Sequence, residues 1–170
     1  MATSAGKEHD PLELLQGLIK LDHAAEEAYE AAIERLDNPA YRQQLDAFMR
    51  DHKRHIAELS PILRQLGGKV PDGGGMKEML TEGKVKLSGL MGDRAILKAM
   101  KTNEDDTNTA YERAVTNAPM EARAVIERGL ADERRHREWI VAQLGEERST
   151  LGAQDRARSN GSRPGSPGPR

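Results

Sequence analysis

The sequence predicts an all-α fold: a four-helix bundle built from two copies of one helical hairpin. Two observations carry this. Apolar residues recur at spacings of three and four along four long segments rich in Ala, Leu, Glu, Arg and Lys. In addition, Asp51-His52-Lys53-Arg54-His55 returns as Asp132-Glu133-Arg134-Arg135-His136, 81 residues further on. The similarity extends beyond these five residues. Ala28-Tyr29-Glu30-Ala31-Ala32-Ile33 matches Ala110-Tyr111-Glu112-Arg113-Ala114-Val115 at a shift of 82, Leu15 and Leu18 match Leu97 and Met100 at 82, and Pro39 matches Pro119 at 80.

The elements follow in order. Residues 1–9 form a flexible N-terminus, and the bundle occupies 10–150. Asp10-Pro11-Leu12-Glu13 is a helix start, with a capping acid, Pro at the first position and an acid in the first turn. Helix A runs from there to about Leu36. Asn38-Pro39 stops it and starts helix B, which runs toward Gly67-Gly68. Ser60-Pro61 inside B should kink it or end its first part. Val70 to Gly75 is a Pro/Gly-rich loop, and Met76 to Met91 is a weakly amphipathic short helix in the long crossover. Asp93 can cap helix C, which ends near Asn117. Pro119 starts helix D, which continues to roughly Glu147. Residues 151–170, rich in Gly, Ser, Pro and Arg, have little to bury and should be disordered; Arg156, Arg158, Arg163 and Arg170 make this a solubilising linker.

Composition bounds the function. A chain of 170 residues suggests one domain with a real core, which one Phe, one Trp and three Tyr make mostly aliphatic. The net charge of -2 gives no general drive toward nucleic acid or an anionic membrane. The absence of Cys excludes disulfides, iron–sulfur clusters and thiolate zinc sites. No apolar leader or 18-residue apolar run occurs, so a cytoplasmic protein is expected.

The apolar stripes contain polar residues. Helix A presents Leu15, Leu18, Asp22, Ala25, Tyr29, Ile33 and Leu36. Helix B presents Leu45, Phe48, His52, His55, Leu59, Ile62 and Leu66. Helix C presents Leu97, Met100, Glu104, Thr107, Tyr111 and Val115, and helix D presents Ile126, Gly129, Glu133, His136, Ile140 and Leu144. Every helix therefore brings ionisable groups to the core. Unpaired, each would cost several kcal/mol or be forced neutral. A metal ion bound by carboxylate oxygen and imidazole nitrogen would compensate them, as would direct His–carboxylate hydrogen bonds.

Two helical hairpins, a long B–C crossover, Glu133-x-x-His136 on helix D and an acid on each of helices A and C resemble the ferritin-like superfamily of dimetal carboxylate proteins. The resemblance covers about residues 10–147 and is strongest to small bacterial ferritin-like domain proteins of largely unassigned function. It implies a metal centre with Asp22 as the helix A ligand, His52 and His55 as the B pair, Glu104 as the C ligand, and Glu133 and His136 as the D pair. Glu26 is a rival on helix A, but the repeat pairs Asp22 with Glu104 and Glu26 with Asn108; Glu26 and Asn108 are expected instead as additional residues at the site or behind its ligands. The resemblance further implies one or two iron ions, with manganese or zinc as alternatives. The implied chemistry is oxidation of ferrous iron by O2 or peroxide, or stress protection. A monomer or homodimer is expected rather than a storage cage.

His52 departs from that pattern, which has Glu there. Four carboxylates would neutralise two divalent ions; three leave a net positive centre, and a neutral His bridges two metals poorly. A single-metal site, an asymmetric pair with Glu26 as the extra acid, and zinc in place of iron all follow from this count. Around the six residues, Tyr29 and Tyr111 are either core tyrosines with satisfied hydroxyls or hydrogen-bonding partners near a metal. Asp51 and Asp132 either orient ligating histidines or pair with Lys53, Arg54, Arg134 and Arg135 at the surface. Trp139 reads as packing, and His9 and His23 as solvent-facing. The competing reading of the whole is a helical structural or interaction module with a polar core.

Overall fold

The computed structural model describes residues 3, 5–73 and 89–160, those after Gly145 by backbone alone. Its helices are α1 (Pro11–Ile33), α2 (Pro39–Gln65), α3 (Asp93–Asn117) and α4 (Met120–Asn160). Residues 76–88 of the expected crossover helix, and residues 161–170 of the tail, lie outside the described residues.

Local chemistry sets the helix ends. The Asp10 carboxylate accepts from the Leu12 and Glu13 N–H groups at 2.8 and 3.1 Å, and Pro11 has no N–H to satisfy. Asn38 caps α2 in the same way, accepting from Ala40 N–H at 2.9 Å ahead of Pro39. At its far end α2 stops because Gly67 takes φ 85°, which lets the Gly68 N–H reach the Leu63 carbonyl at 2.9 Å.

Two expectations need correction and one is narrowed. Of the two outcomes expected at Pro61, the helix does not end there; α2 runs through it. Both Pro61 and Ala57, whose carbonyl loses its partner, are exposed, so water can satisfy that group. Asp93 does not cap its own helix, since Gly92 takes the cap position. The Asp93 carboxylate instead accepts from the backbone N–H groups of Asp37 and Asn38 at 2.7 and 3.0 Å, tying the start of α3 to the α1–α2 turn. Finally, α4 continues to Asn160, past the expected stop near Glu147 and into the segment expected to be disordered. Ala153, Gln154, Ala157 and Arg158 favour helix, and no proline intervenes before Pro164.

The helices form a ring in the order α1-α2-α4-α3. Its core is two apolar clusters separated by a polar layer. One cluster joins Leu14, Leu15, Leu18 and Ile19 to Leu59 and Leu63, Ala110 to Ala114, and Ala122 to Leu130. The other joins Tyr29, Ala32 and Leu36 to Leu45, Phe48, Ile96, Leu97, Met100 and Ile140. The start of α1 thus meets the ends of α2 and α3 and the start of α4. The chain leaves α2 at one end of the bundle and enters α3 at the other, which is why the crossover must be long. Burial of each large aliphatic side chain contributes about 1.5–3 kcal/mol. The stripes drift slightly from the spacing expected: Leu63 and Ala114 are buried, while Ile33, Ile62, Leu66, Val115 and Leu144 lie at the core margin.

Gly129 on α4 packs against the ring of Tyr111 on α3. A Cβ added there would lie 2.5 Å from Tyr111 Cε1, inside van der Waals contact. Although alanine is the better helix former by about 1 kcal/mol, Gly129→Ala should destabilise the fold by about 1–3 kcal/mol through overpacking. Urea unfolding with an unchanged m-value measures this; an increase in stability would mean that Tyr111 has room to move.

Candidate metal centre

The polar layer between the clusters holds Asp22, His52, Glu104, Glu133 and His136, each fully buried, and His55 at 2% exposure. These are the six residues singled out in the sequence, and they converge. Asp22, His52, His55 and Glu133 place one potential ligand atom each within 4.8 Å of one another. His52, Glu104, Glu133 and His136 do the same. The two groups share His52 and Glu133, the pair at which the repeat differs. Glu26 stands apart, partly exposed between His23 at 3.4 Å and Lys53 at 3.6 Å.

In the first group, Asp22 Oδ1 accepts from His52 Nδ1 at 3.0 Å and lies 3.4 Å from His55 Nδ1. Glu133 Oε1 is 3.5 Å from both of these nitrogens. The second group is less well paired. His52 Nε2, Glu104 Oε2, both Glu133 oxygens and His136 Nδ1 have no hydrogen-bond partner. The gap between His136 Nδ1 and Glu104 Oε2 is 3.7 Å, too long for a hydrogen bond. Buried polar atoms left this way are costly. They are also the donors that a divalent ion takes: carboxylate oxygen and imidazole nitrogen suit iron, manganese and zinc.

The residues behind this layer cross between the hairpins. Tyr29 on α1 donates to Glu104 on α3 at 2.5 Å, and Tyr111 on α3 donates to Asp22 on α1 at 2.7 Å. Asp51 on α2 accepts from His136 Nε2 on α4 at 3.0 Å, and Asp132 on α4 accepts from His55 Nε2 on α2 at 3.3 Å. Each histidine therefore keeps its Nδ1 turned inward. The tyrosines are core residues whose hydroxyls are satisfied by the buried carboxylates themselves. Both readings of Asp51 and Asp132 hold together. Arg54 bonds both acids at 2.5 Å, and Arg135 bonds both at 2.6 Å, closing a ring of four charges across α2 and α4. Lys53 and Arg134 lie elsewhere, near Glu26 and Glu112.

Sequence reasoning gave Asn108 only as an additional residue and passed over Thr107 as a polar contributor. Asn108 Nδ2 donates to the Glu104 and Glu133 backbone carbonyls, both at 2.9 Å, and so locks α3 to α4 at the level of the layer. Thr107 donates to the Glu104 carbonyl at 3.2 Å. Their signal was a buried amide and hydroxyl within a turn of Glu104. Trp139 packs edge-on against Phe48 and Tyr41, as expected of a packing residue.

The electrostatics are coupled. Burial, then the nearby Glu104 and Asp22 carboxylates, push Glu133 well above the usual carboxylate range. Burial opposes the charging of His55, but its bonds to Asp132 and Asp22 outweigh this and raise it to about 10. Burial also disfavours the charged form of Asp22, yet hydrogen bonds from His52 and His55 hold it below the ordinary value. Burial and the adjacent carboxylates push both tyrosines well up, so they remain phenols and donors.

Residues 10–117 match DUF2383, a domain of unknown function. The chain belongs to the DUF2383 family. The match takes in α1, α2 and α3 with Asp22, His52, His55 and Glu104, and ends before α4. No curated protein and no solved structure matches the chain. No helix among the described residues is long and apolar enough to cross a membrane.

Three outcomes follow. Metal ligands must shed their protons, and Glu133 and His55 are both raised, His55 to about 10. Metal affinity should therefore rise with pH toward about 10, with protons released, as followed by calorimetry in buffers of different ionisation enthalpy; a pH-independent affinity would contradict the assignment. The metal-free protein should show the opposite trend. The raised His55 contributes stability that is complete below its unfolded value near 6.5 and lost as pH rises toward about 10. Separately, Asp51→Asn and Asp132→Asn should each weaken metal binding about 10–100-fold by loosening one histidine, measured by competition with a chelating dye.

Proposed function

We propose that the protein is a ferritin-like metal-binding protein that takes iron at the bundle centre, with oxidation of ferrous iron by O2 or peroxide as its chemistry. The observation that carries this is the convergence of two four-residue groups of ligand-type side chains, nearly all fully buried, whose ligand atoms lie within 4.8 Å of one another in each group and several of which have no hydrogen-bond partner. A bare hydrogen-bonded core would be expected to pair those atoms with each other, and it leaves them orphaned. The duplicated hairpin supplies the right number of donors for one ion in each half.

A divalent iron held there would supply an electron to an oxidant and a positive charge for the carboxylates. Everything else falls to the chain. Asp22 and Glu104 would hold the metal as anionic ligands, each fixed by a tyrosine hydroxyl from the opposite hairpin. His55 and His136 would offer it their Nδ1 atoms, with Asp132 and Asp51 fixing their rings from behind. Tyr29 and Tyr111 keep their protons and hold them on the carboxylate oxygens. The flanking apolar clusters, from Leu14 to Leu63 on one side and Leu45 to Ile140 on the other, exclude water from both ends. Manganese or zinc would accept the same donors without giving the oxidation.

Purified without chelator, the wild-type protein should carry close to stoichiometric metal and melt at a higher temperature with metal than without. Glu104→Ala and His136→Ala should lose most of that metal, and equal metal content in all three would sink the reading. Oxygen consumption on addition of ferrous iron then separates an iron oxidase from a redox-silent zinc or manganese site.

A further inference from the structure

We infer that His52 is a bridging ligand, bonded through Nδ1 to an ion in the Asp22/His55 half and through Nε2 to an ion in the Glu104/His136 half. This rests on the metal-binding reading above and adds to it what joins the two halves. The geometry is specific to His52. It is the only histidine that belongs to both groups of candidate ligands among the described residues. Its ring is nearly equidistant from the other two, with centroid separations of 5.6 Å to His55 and 5.5 Å to His136. Nδ1 faces Asp22 at 3.0 Å and Glu133 at 3.5 Å, while Nε2 is buried with no hydrogen-bond partner.

The outer nitrogens separate His52 from its neighbours. His55 and His136 each spend Nε2 on an aspartate outside the layer, at 3.3 and 3.0 Å, and so have one nitrogen for a metal. His52 has no such partner: its Nδ1 bonds Asp22 within the layer, and its Nε2 is buried and unpaired. A ring bonded to metals through both nitrogens carries no N–H and is an anion; the displaced proton passes to solvent. With Asp22, Glu104 and Glu133 this makes four negative charges, the number that balances two divalent ions. The neutral ring assumed from sequence leaves one charge short.

The test uses the full-length protein labelled with 15N-histidine and loaded with 113Cd(II), a spin-½ divalent probe. One imidazole should show one-bond cadmium coupling at both nitrogens and no ring N–H signal, and it should vanish in His52→Gln. His55 and His136 should each couple at Nδ1 alone. The doubly coupled ring is diagnostic even if His52→Gln fails to fold, because the Nε2 atoms of the other two are held by aspartates. Coupling of His52 at one nitrogen, or at neither while His55 and His136 couple, overturns the bridge and leaves the metal centre standing. No coupling at any histidine overturns both.

Discussion

The structure depends on one constraint: six ionisable side chains lie in the middle of an otherwise aliphatic core. Taking each out of water costs several kcal/mol if nothing compensates it. The apolar clusters to either side supply the burial energy that lets the bundle close around them. Compensation must come from within the layer, and about half of its polar atoms have found it. Asp22 is bonded by two histidines and a tyrosine, whereas Glu133 has no partner on either oxygen. The protonation pattern records this imbalance. Asp22 is held ionised and Glu133 is pushed toward its neutral form, although both are fully buried.

The supporting residues are arranged to keep the layer rigid rather than to neutralise it. Every bond from behind a candidate ligand joins different helices: α1 to α3 through the tyrosines, and α2 to α4 through the aspartates. Together with Asn108, which ties α3 to α4, they brace three of the four helix–helix contacts at one level. The ring of Asp51, Arg54, Asp132 and Arg135 sits at the surface, where isolated ion pairs contribute little. Its value is geometric. Two arginines fix two carboxylates, which in turn fix the tautomer and rotation of two buried imidazoles.

Much of this was legible in the sequence, for identifiable reasons. A period of 3.6 places Asp22, His52, His55, Glu104, Glu133 and His136 on apolar faces, so their burial in the core followed from spacing. What the sequence concealed were contacts whose partners lie far apart in the chain. Nothing local to Asp93 indicates that it holds the Asp37–Asn38 turn, and nothing local to Tyr29 indicates that it serves Glu104 rather than its own helix. Pro61 left two outcomes open for a different reason. Its cost depends on whether the freed carbonyl meets water, and that is a property of the assembled bundle. The dual role of Asp51 and Asp132 was posed as a choice because a sequence shows a residue's neighbours but not its two carboxylate oxygens facing opposite ways.

The near symmetry explains why the departure falls where it does. The repeat relates Asp22 to Glu104, His55 to His136, Tyr29 to Tyr111 and Asp51 to Asp132, and in each pair the two members do the same task in opposite halves. Only His52 and Glu133 differ in chemistry, and only they are common to both halves. A residue near the axis must present donors to two sides at once. A carboxylate does so with two oxygens, and imidazole is the other common side chain with two donor atoms facing apart. Asparagine or glutamine would offer one oxygen and a cationically useless NH2 group, and a thiolate would require a cysteine that the chain lacks. Histidine at position 52 therefore preserves the one property that the position requires. If His52 bridges as proposed, the substitution that looked like damage to a carboxylate motif would be a change of bridging atom from oxygen to nitrogen.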